Sequence, residues 1–203
     1  MKIICIGRNY TEHAKELNNP VNETPVIFLK PDSAILDTRL PFFIPDFSDN
    51  IHYEVELVIR INRLGKNIES KFANRYYDEV TTGIDFTARD LQSELKNKGL
   101  PWEIAKGFDG SAAVGEFVPV SEVRKDNQIE FSLHKNDTTV QEGKSSDMIF
   151  SIDDIISYVS KFFTLKKGDL IFTGTPAGVG KVEKNDILKA FIGERQLLKV
   201  KIK

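Results

Sequence analysis

The sequence predicts an α+β, β-rich fold in one domain spanning 1–203. Short apolar runs, several of them alternating, recur between Gly and Pro turns, whereas only three segments carry helical spacing. At 203 residues the chain has the length of one ordinary domain, and no repeat, low-complexity tract or long linker divides it.

The elements follow in order. The run 2–6, with Ile3-Ile4-Cys5-Ile6 at its centre, reads as a buried strand. Residues 11–17 read as a short helix capped by Thr11 and ended by Asn18-Asn19-Pro20. Residues 25–30 form a second strand. The clearest strand is 53–61, where Tyr53, Val55, Leu57, Ile59 and Ile61 alternate with Glu54, Glu56, Val58 and Arg60. A strand over 80–85 ends at Asp85. A helix then opens at Thr87-Ala88-Arg89-Asp90, where Thr87 and Asp90 have capping-box spacing, and runs to Lys98 before Gly99 stops it. Residues 129–135 are a strand, with Asp137 in the turn that follows. Residues 151–163 form a helix with Ile152, Ile155, Ile156 and Val159 on one stripe and Ser151 as cap. Strands over 170–173, 188–192 and 197–202 close the chain.

Composition removes some classes of function. Lys plus Arg is 28 and Asp plus Glu is 30, a formal net charge of −2 that gives no electrostatic reason to expect nucleic acid or an anionic membrane. Cys5 is the only cysteine, so no internal disulfide forms, and its apolar surroundings suit a buried, inert thiol. No run reaches the ~20 apolar residues of a membrane span, and the apolar start is too short for a signal peptide. A cytoplasmic protein is the expectation.

On a strand, residues two apart share a face, so Glu54 and Glu56 stand side by side with Val55 turned away. Crowded carboxylates repel, and burying either one alone is costly. Two readings stay open: a solvated strand face, or a site for Mg²⁺ or Mn²⁺, hard cations that take oxygen ligands. Asp85, at a strand end before a helix, would be the third ligand. His52 is not counted in the site. His13 and Glu16 share a helix face, and a carboxylate beside an imidazole makes a better general base, although an incidental surface pair has the same spacing. Arg89 and Gln92, three apart on the helix after Asp85, can bind a carboxylate or carbonyl oxygen. Lys106 either holds an anionic substrate and stabilises an enolate, or lies in a solvated turn. The Gly-rich segment 173–181 fails as a phosphate loop: five residues, not four, separate Gly174 from Gly180-Lys181, and Val182 stands where Ser or Thr is needed. It remains a tight loop offering backbone N–H groups to a small anion, or a plain turn.

The wording and order of these motifs are more specific than any one of them. Gly7-Arg8-Asn9-Tyr10 with His13 and Glu16, Phe28-Leu29-Lys30-Pro31, His52-Tyr53-Glu54-Val55-Glu56-Leu57, Asp85-Phe86-Thr87-Ala88-Arg89-Asp90-Leu91-Gln92, Trp102-Glu103-Ile104-Ala105-Lys106 and Gly168-Asp169-Leu170-Ile171-Phe172-Thr173-Gly174-Thr175-Pro176 together resemble the fumarylacetoacetate hydrolase family. The resemblance runs from Gly7 to about Gly180 and points to the short acylpyruvase and oxaloacetate decarboxylase branch, without the extra N-terminal domain of the longer hydrolases. It implies a mixed β-sandwich roll, a homodimer, and Mg²⁺ or Mn²⁺ on Glu54, Glu56 and Asp85. It makes His13 and Glu16 a catalytic dyad on a helix that orders as a lid. Lys106 becomes catalytic and substrate-facing, and Arg8, Arg89, Gln92 and Thr175 bind substrate. The implied activity is metal-dependent C–C cleavage of a small 2-oxo acid through a pyruvate enolate, by 3-acylpyruvate hydrolysis, oxaloacetate decarboxylation or both. The alternatives are an isomerase or decarboxylase of hydroxylated dienedioates and, third, a non-catalytic 2-oxo acid binding protein.

Overall fold

In a computed structural model, which describes residues 1–16 and 22–203, the strongest alternating segment is divided between two sheets. Val55–Ile61 lies inside a seven-stranded sheet in the order Val26–Lys30, Ile3–Gly7, Leu170–Phe172, Val55–Ile61, Tyr77–Asp85 and Ala112–Val114, with Val118–Pro119 also paired to Tyr77–Asp85. Ile51–Tyr53 belongs instead to a three-stranded sheet with Gly180–Lys181 and Thr87–Ala88. The single strand expected over 53–61 is therefore broken at Glu54, where the chain crosses from one sheet to the other. A second crossing follows Asp85, since Tyr77–Asp85 ends in the large sheet and Thr87–Ala88 continues in the small one. The two corners adjoin, with Asp85 N donating to Glu54 O at 2.8 Å.

Both faces of Val55–Ile61 are covered. Val55, Leu57, Ile59 and Ile61 enter the main core. Phe131, Leu133, Leu188, Ala190, Leu198 and Val200 enter it from an antiparallel four-stranded sheet of Thr138–Lys144, Glu130–Lys135, Ile187–Ile192 and Arg195–Lys201. This facing pair of sheets is the β-sandwich roll the motifs imply. The other face carries Glu54, Glu56 and Val58, and Val58 packs in a smaller apolar cluster with Ile3, Cys5, Phe28 and Phe172. The carboxylates thus point into protein, not water. Within the large sheet only Ile3–Gly7 and Leu170–Phe172 run parallel among the described pairs.

Gly83 pairs in register with Glu56, and a Cβ there would lie 2.6 Å from Val58 Cγ2 and 2.7 Å from Phe172 Cε1. Gly83→Ala is expected to overpack this cluster at a cost of about 1–3 kcal/mol. A thermal melt several degrees below the parent checks it, and an unchanged Tm would show slack in the cluster.

Three four-residue helices, Ser70–Ala73, Glu103–Lys106 and Val120–Val123, join the three that were expected. One turn carries no 3.6-residue period to read. The capping box at Thr87 and Asp90 is not formed. Thr87 lies in a strand, Ala88 takes the cap position without a side-chain bond, and Asp90 accepts from Ser48 Oγ at 2.6 Å and Asp49 N at 3.1 Å. That helix, Arg89–Lys98, does end at Gly99, whose φ of 65° lets its N–H reach the Leu95 and Lys96 carbonyls. Ser151 caps Ile152–Phe162 by accepting from Asp154 N at 3.2 Å. The first helix spans Thr11–Glu16; its expected end at residue 17 and the Asn18-Asn19-Pro20 stop lie outside the described residues.

Candidate metal centre

The two sheet corners bring Glu54, Glu56 and Asp85 together. Each offers an oxygen within 4.8 Å of the others, and their residues are 4%, 2% and 0% exposed. That burial rules out the solvated-face reading of the Glu-Val-Glu motif. Lys106, at the end of Glu103–Lys106, reaches in from the side. Its ammonium donates to Glu54 Oε2 at 2.7 Å, Asp85 Oδ2 at 2.7 Å and Thr87 Oγ1 at 2.6 Å, which engages all three protons. Lys106 is thus buried against the acidic cluster, not in a solvated turn. Arg89 bonds the other oxygen of Glu54 and donates to Gln92 Oε1 at 2.5 Å.

The charges are unevenly compensated. Burial raises the Glu54 pKa, but Lys106, Arg89 and His13 outweigh it and hold the group below the usual carboxylate range. Burial lowers the Lys106 pKa, yet Asp85 and Glu54 more than restore it, so the ammonium stays charged. Glu56 is the exception. Burial, then the neighbouring Asp85 and Glu54 charges, push its pKa well up, against the more distant Lys106 charge and one hydrogen bond from Gly174 N at 2.7 Å. Among the described residues no cation lies within ion-pair distance of it. Asp85 Oδ1, fully buried, receives no aligned hydrogen bond. An all-oxygen cluster in which one carboxylate, Glu56, pairs with no cation fits a hard dication, which Glu54, Glu56 and Asp85 would hold.

A pH dependence follows. Because the folded pKa of Glu56 is raised, its contribution to stability is present below its unfolded pKa and is lost as pH rises through the folded one. A dication takes the place of that proton. Protein treated with chelator is expected to lose stability as pH rises above the ordinary carboxylate range, and the Tm gain on adding Mn²⁺ to grow as it does. Melts in chelator and in Mn²⁺ at several pH values measure both, and a Mn²⁺ gain independent of pH would remove Glu56 from the centre.

His13 is 5% exposed and lines the same cavity as the three carboxylates. Its Nδ1 lies 3.1 Å from Glu16 Oε2. A carboxylate only accepts, so Nδ1 is the donor, and in the neutral ring Nε2 carries the lone pair. Glu16 is held in turn by Gly178 N at 3.1 and 3.3 Å. The Gly-rich segment therefore does offer backbone N–H groups to anions, and they are the chain's own carboxylates, Glu56 and Glu16. Gly174 needs its φ of 99°, and a Cβ there would meet Asn9 Cβ at 2.7 Å.

Arg8, Arg89, Gln92 and Thr175 also line the cavity, so every residue singled out for the site borders it except Glu16, which touches it through His13. Arg8 has φ 60°, uncommon for a non-glycine residue, and its guanidinium lies 5.9 Å from the Trp102 ring centre. Four contributors were missed. Lys96 lines the mouth, its pKa lowered by burial and by Arg8 and Arg89. Its spacing from Arg89 and Gln92, seven and four residues, was a readable signal. His52 supports Arg89, whose Nε donates to its Nδ1 at 3.5 Å, while its Nε2 donates to Asn50 Oδ1 at 3.0 Å. Burial and Arg89 lower its pKa to about 4, which keeps Nδ1 an acceptor. Gln141 joins Val55 N, at 2.9 Å, to Thr175 Oγ1, at 2.9 Å. Lys30 approaches Asp85 from beneath, with Nζ 2.8 Å from Oδ1.

Three carboxylates buried this tightly, facing a histidine across one cavity on a β-sandwich roll, form a constellation suited to holding a hard dication. The chain belongs to the fumarylacetoacetate hydrolase family, since residues 2–203 match the family model described as Fumarylacetoacetate (FAA) hydrolase C-terminal. It is 46% identical over 190 residues to the oxaloacetate tautomerase FAHD1, mitochondrial, of Rattus norvegicus, covering 94% of this chain and 86% of that one. It is 41% identical over 192 residues to the oxaloacetate decarboxylase, mitochondrial, of Dictyostelium discoideum, covering 94% and 88%. The crystal structure of fumarylpyruvate hydrolase from Pseudomonas aeruginosa in complex with Mn²⁺ and pyruvate superposes with a TM-score of 0.92 at 37% identity, covering 100% and 89%.

Proposed function

We propose that this protein cleaves a C–C bond in a small 2-oxo acid through a pyruvate enolate, by oxaloacetate decarboxylation, 3-acylpyruvate hydrolysis or both. The observation that carries the reading is the buried triad Glu54, Glu56 and Asp85 opening onto the same cavity as His13. A Mg²⁺ or Mn²⁺ ion held there supplies Lewis-acid polarisation of the substrate's carboxylate and 2-oxo oxygens. The oxaloacetate relatives and the fumarylpyruvate hydrolase with Mn²⁺ and pyruvate support the substrate class.

The chain's own groups do the rest. Arg8, Arg89 and Gln92 hold and orient the carboxylate, with Thr175 lining the same cavity. For an acylpyruvate, His13 Nε2 takes a proton from the water that attacks the distal carbonyl. The C3–C4 bond breaks and its electron pair passes into the enolate, which then takes a proton at C3. For oxaloacetate the same bond breaks with loss of CO₂, and no water attacks. Lys106, a fixed positive charge at the cluster, stabilises the negative charge that develops on the 2-oxo oxygen. A second reading, keto–enol tautomerisation of oxaloacetate, has support in the name of the rat relative and needs only the proton transfer at C3.

One panel decides among these. Pyruvate release from oxaloacetate and acetylpyruvate, enol absorbance of oxaloacetate, and diene absorbance of a hydroxylated dienedioate are each followed with Mn²⁺ and with chelator. Mn²⁺-dependent pyruvate release is the expected result. Enol decay without pyruvate favours the tautomerase, a diene shift favours the isomerase, and no turnover with any substrate leaves only a binding protein.

The proposal extends to a single catalytic domain over 1–203 acting as a homodimer in the cytoplasm. Exposed Leu40, Phe43 and Phe47 are apolar surface that a second copy would cover, and Cys5, buried and unpaired, suits a reducing compartment. Among the described residues no helix is long and apolar enough to cross a membrane. Light scattering reads the mass, and a monomer would remove the dimer.

A further inference from the structure

We propose that Lys30 is a positioning residue of the active site: it anchors the helix end that carries Lys106 and sets the charge beneath Asp85. The inference rests on the metal-centre reading above.

Lys30 ends the outer strand Val26–Lys30, and its side chain is fully buried. Its ammonium donates to Lys106 O, to Ser111 O at 3.2 Å and to Ser111 Oγ at 3.0 Å. Those three bonds engage its three protons, so Asp85 Oδ1, only 2.8 Å away, receives charge but no aligned hydrogen bond. Lys106 O belongs to the last turn of Glu103–Lys106, where carbonyls have no partner inside the helix. Lys30 supplies that partner, and Ser111 Oγ adds a second donor at 2.8 Å. The fit is close: a Cβ at Gly107 would meet Glu103 O at 2.9 Å and Pro31 Cδ at 3.2 Å, so the helix end is seated against the residue that follows Lys30.

The consequence concerns Lys106. A helix of one turn has little stability of its own, so the place of the Lys106 backbone is set by what holds its end. Once that end is fixed, the Lys106 ammonium reaches Glu54, Asp85 and Thr87. Asp85 then stands between two ammonium groups, Lys30 on Oδ1 and Lys106 on Oδ2. A buried cation beside a metal ligand weakens that ligand's attraction for a dication. Lys30 therefore does not serve to tighten metal binding, and its contribution to the reaction runs through Lys106.

This separates two effects that a merely structural lysine would lose together. Lys30→Met keeps the unbranched apolar stem, one atom shorter, and removes its charge and its donors. The expected result is a fall in kcat of about 10²-fold, from misplacement of Lys106, with KM near the parent value. The Mn²⁺ affinity, read by the paramagnetic resonance of free Mn²⁺, is expected to be undiminished or tighter. The Tm gain on adding Mn²⁺ is expected to be larger than in the parent. Parental kcat, or a parallel loss of Mn²⁺ affinity and kcat, would overturn the role of Lys30. Ser111→Ala covers the case in which Lys30→Met does not fold. It removes one donor to Lys106 O and leaves the charge, so kcat should fall several-fold with Mn²⁺ affinity unchanged, and parental kcat there would overturn the anchoring. A parent protein that takes up no Mn²⁺ would overturn the metal-centre reading itself.

Discussion

Asp85→Asn is expected to abolish Mn²⁺ uptake and to lower kcat/KM by at least about 10³-fold, the several kcal/mol of charge stabilisation that a bound dication supplies. Asn has the shape of Asp, so the substitution opens no cavity at this fully buried position opposite Ala112. It does remove the charge that Lys106 and Lys30 both face, and removing one partner from a buried ion pair costs about 3–5 kcal/mol. The variant should therefore melt below the parent, with no recovery on adding Mn²⁺. Glu56→Gln gives the contrast. Glu56 pairs with no cation among the described residues, and its carboxylate is opposed by burial and by two like charges. Neutralising it should leave the metal-free protein as stable as the parent or more so, while also abolishing Mn²⁺ uptake. Equal loss of activity with opposite effects on stability would identify both as ligands and separate their electrostatic settings. Calorimetric Mn²⁺ titrations and melts with and without the ion measure this, and Mn²⁺-dependent turnover in Asp85→Asn would exclude Asp85 from the centre.

A local rule singled out each member of the triad, and the resemblance, not the rule, made it a metal site. Glu54 and Glu56 are two apart beside an apolar alternation, and Asp85 ends a hydrophobic run before a helix. The pattern did not show where those carboxylates point. A period of two reports that two faces differ, not that both are buried, and the break at Glu54 leaves no signature because the same alternation continues through it in Ile51–Tyr53. The arginine, glutamine and missed lysine of Arg89–Lys98 were readable as one helical face. Lys30 and Gln141 were not. Lys30 acts on Lys106 across 76 residues and Gln141 on Val55 across 86, so nothing near either position marks its target. The one-turn helix that carries Lys106 is likewise defined by what docks on it. The Gly-rich loop stands between these cases: its glycines left an anion site and a plain turn both open, and the fold shows that its N–H groups meet Glu56 and Glu16.

His13→Ala should divide the two cleavage reactions. Loss of a general base costs about 10²- to 10⁴-fold where a proton must be removed in the slow step. Acylpyruvate hydrolysis has such a step, since water must be deprotonated as it attacks. Oxaloacetate decarboxylation has none, because the departing CO₂ leaves its electron pair to the enolate, so its rate should fall far less. The hydrogen bond within the dyad sharpens the test. Glu16 accepts from His13 Nδ1 and so directs the Nε2 lone pair to the reaction. Glu16→Gln replaces an obligate acceptor by an amide that can also donate to Nδ1, which releases the ring from that tautomer. It also weakens the hold of Gly178 N on the dyad. Hydrolysis by Glu16→Gln should therefore lie between the parent and His13→Ala, with decarboxylation close to the parent. Steady-state kcat on acetylpyruvate and oxaloacetate under saturating Mn²⁺ measures the division. Equal losses in both reactions would mean that His13 shapes the cavity and does not activate water. A loss confined to the enol decay of oxaloacetate would make its proton transfer act at C3, and the tautomerase reading would then replace the hydrolytic one.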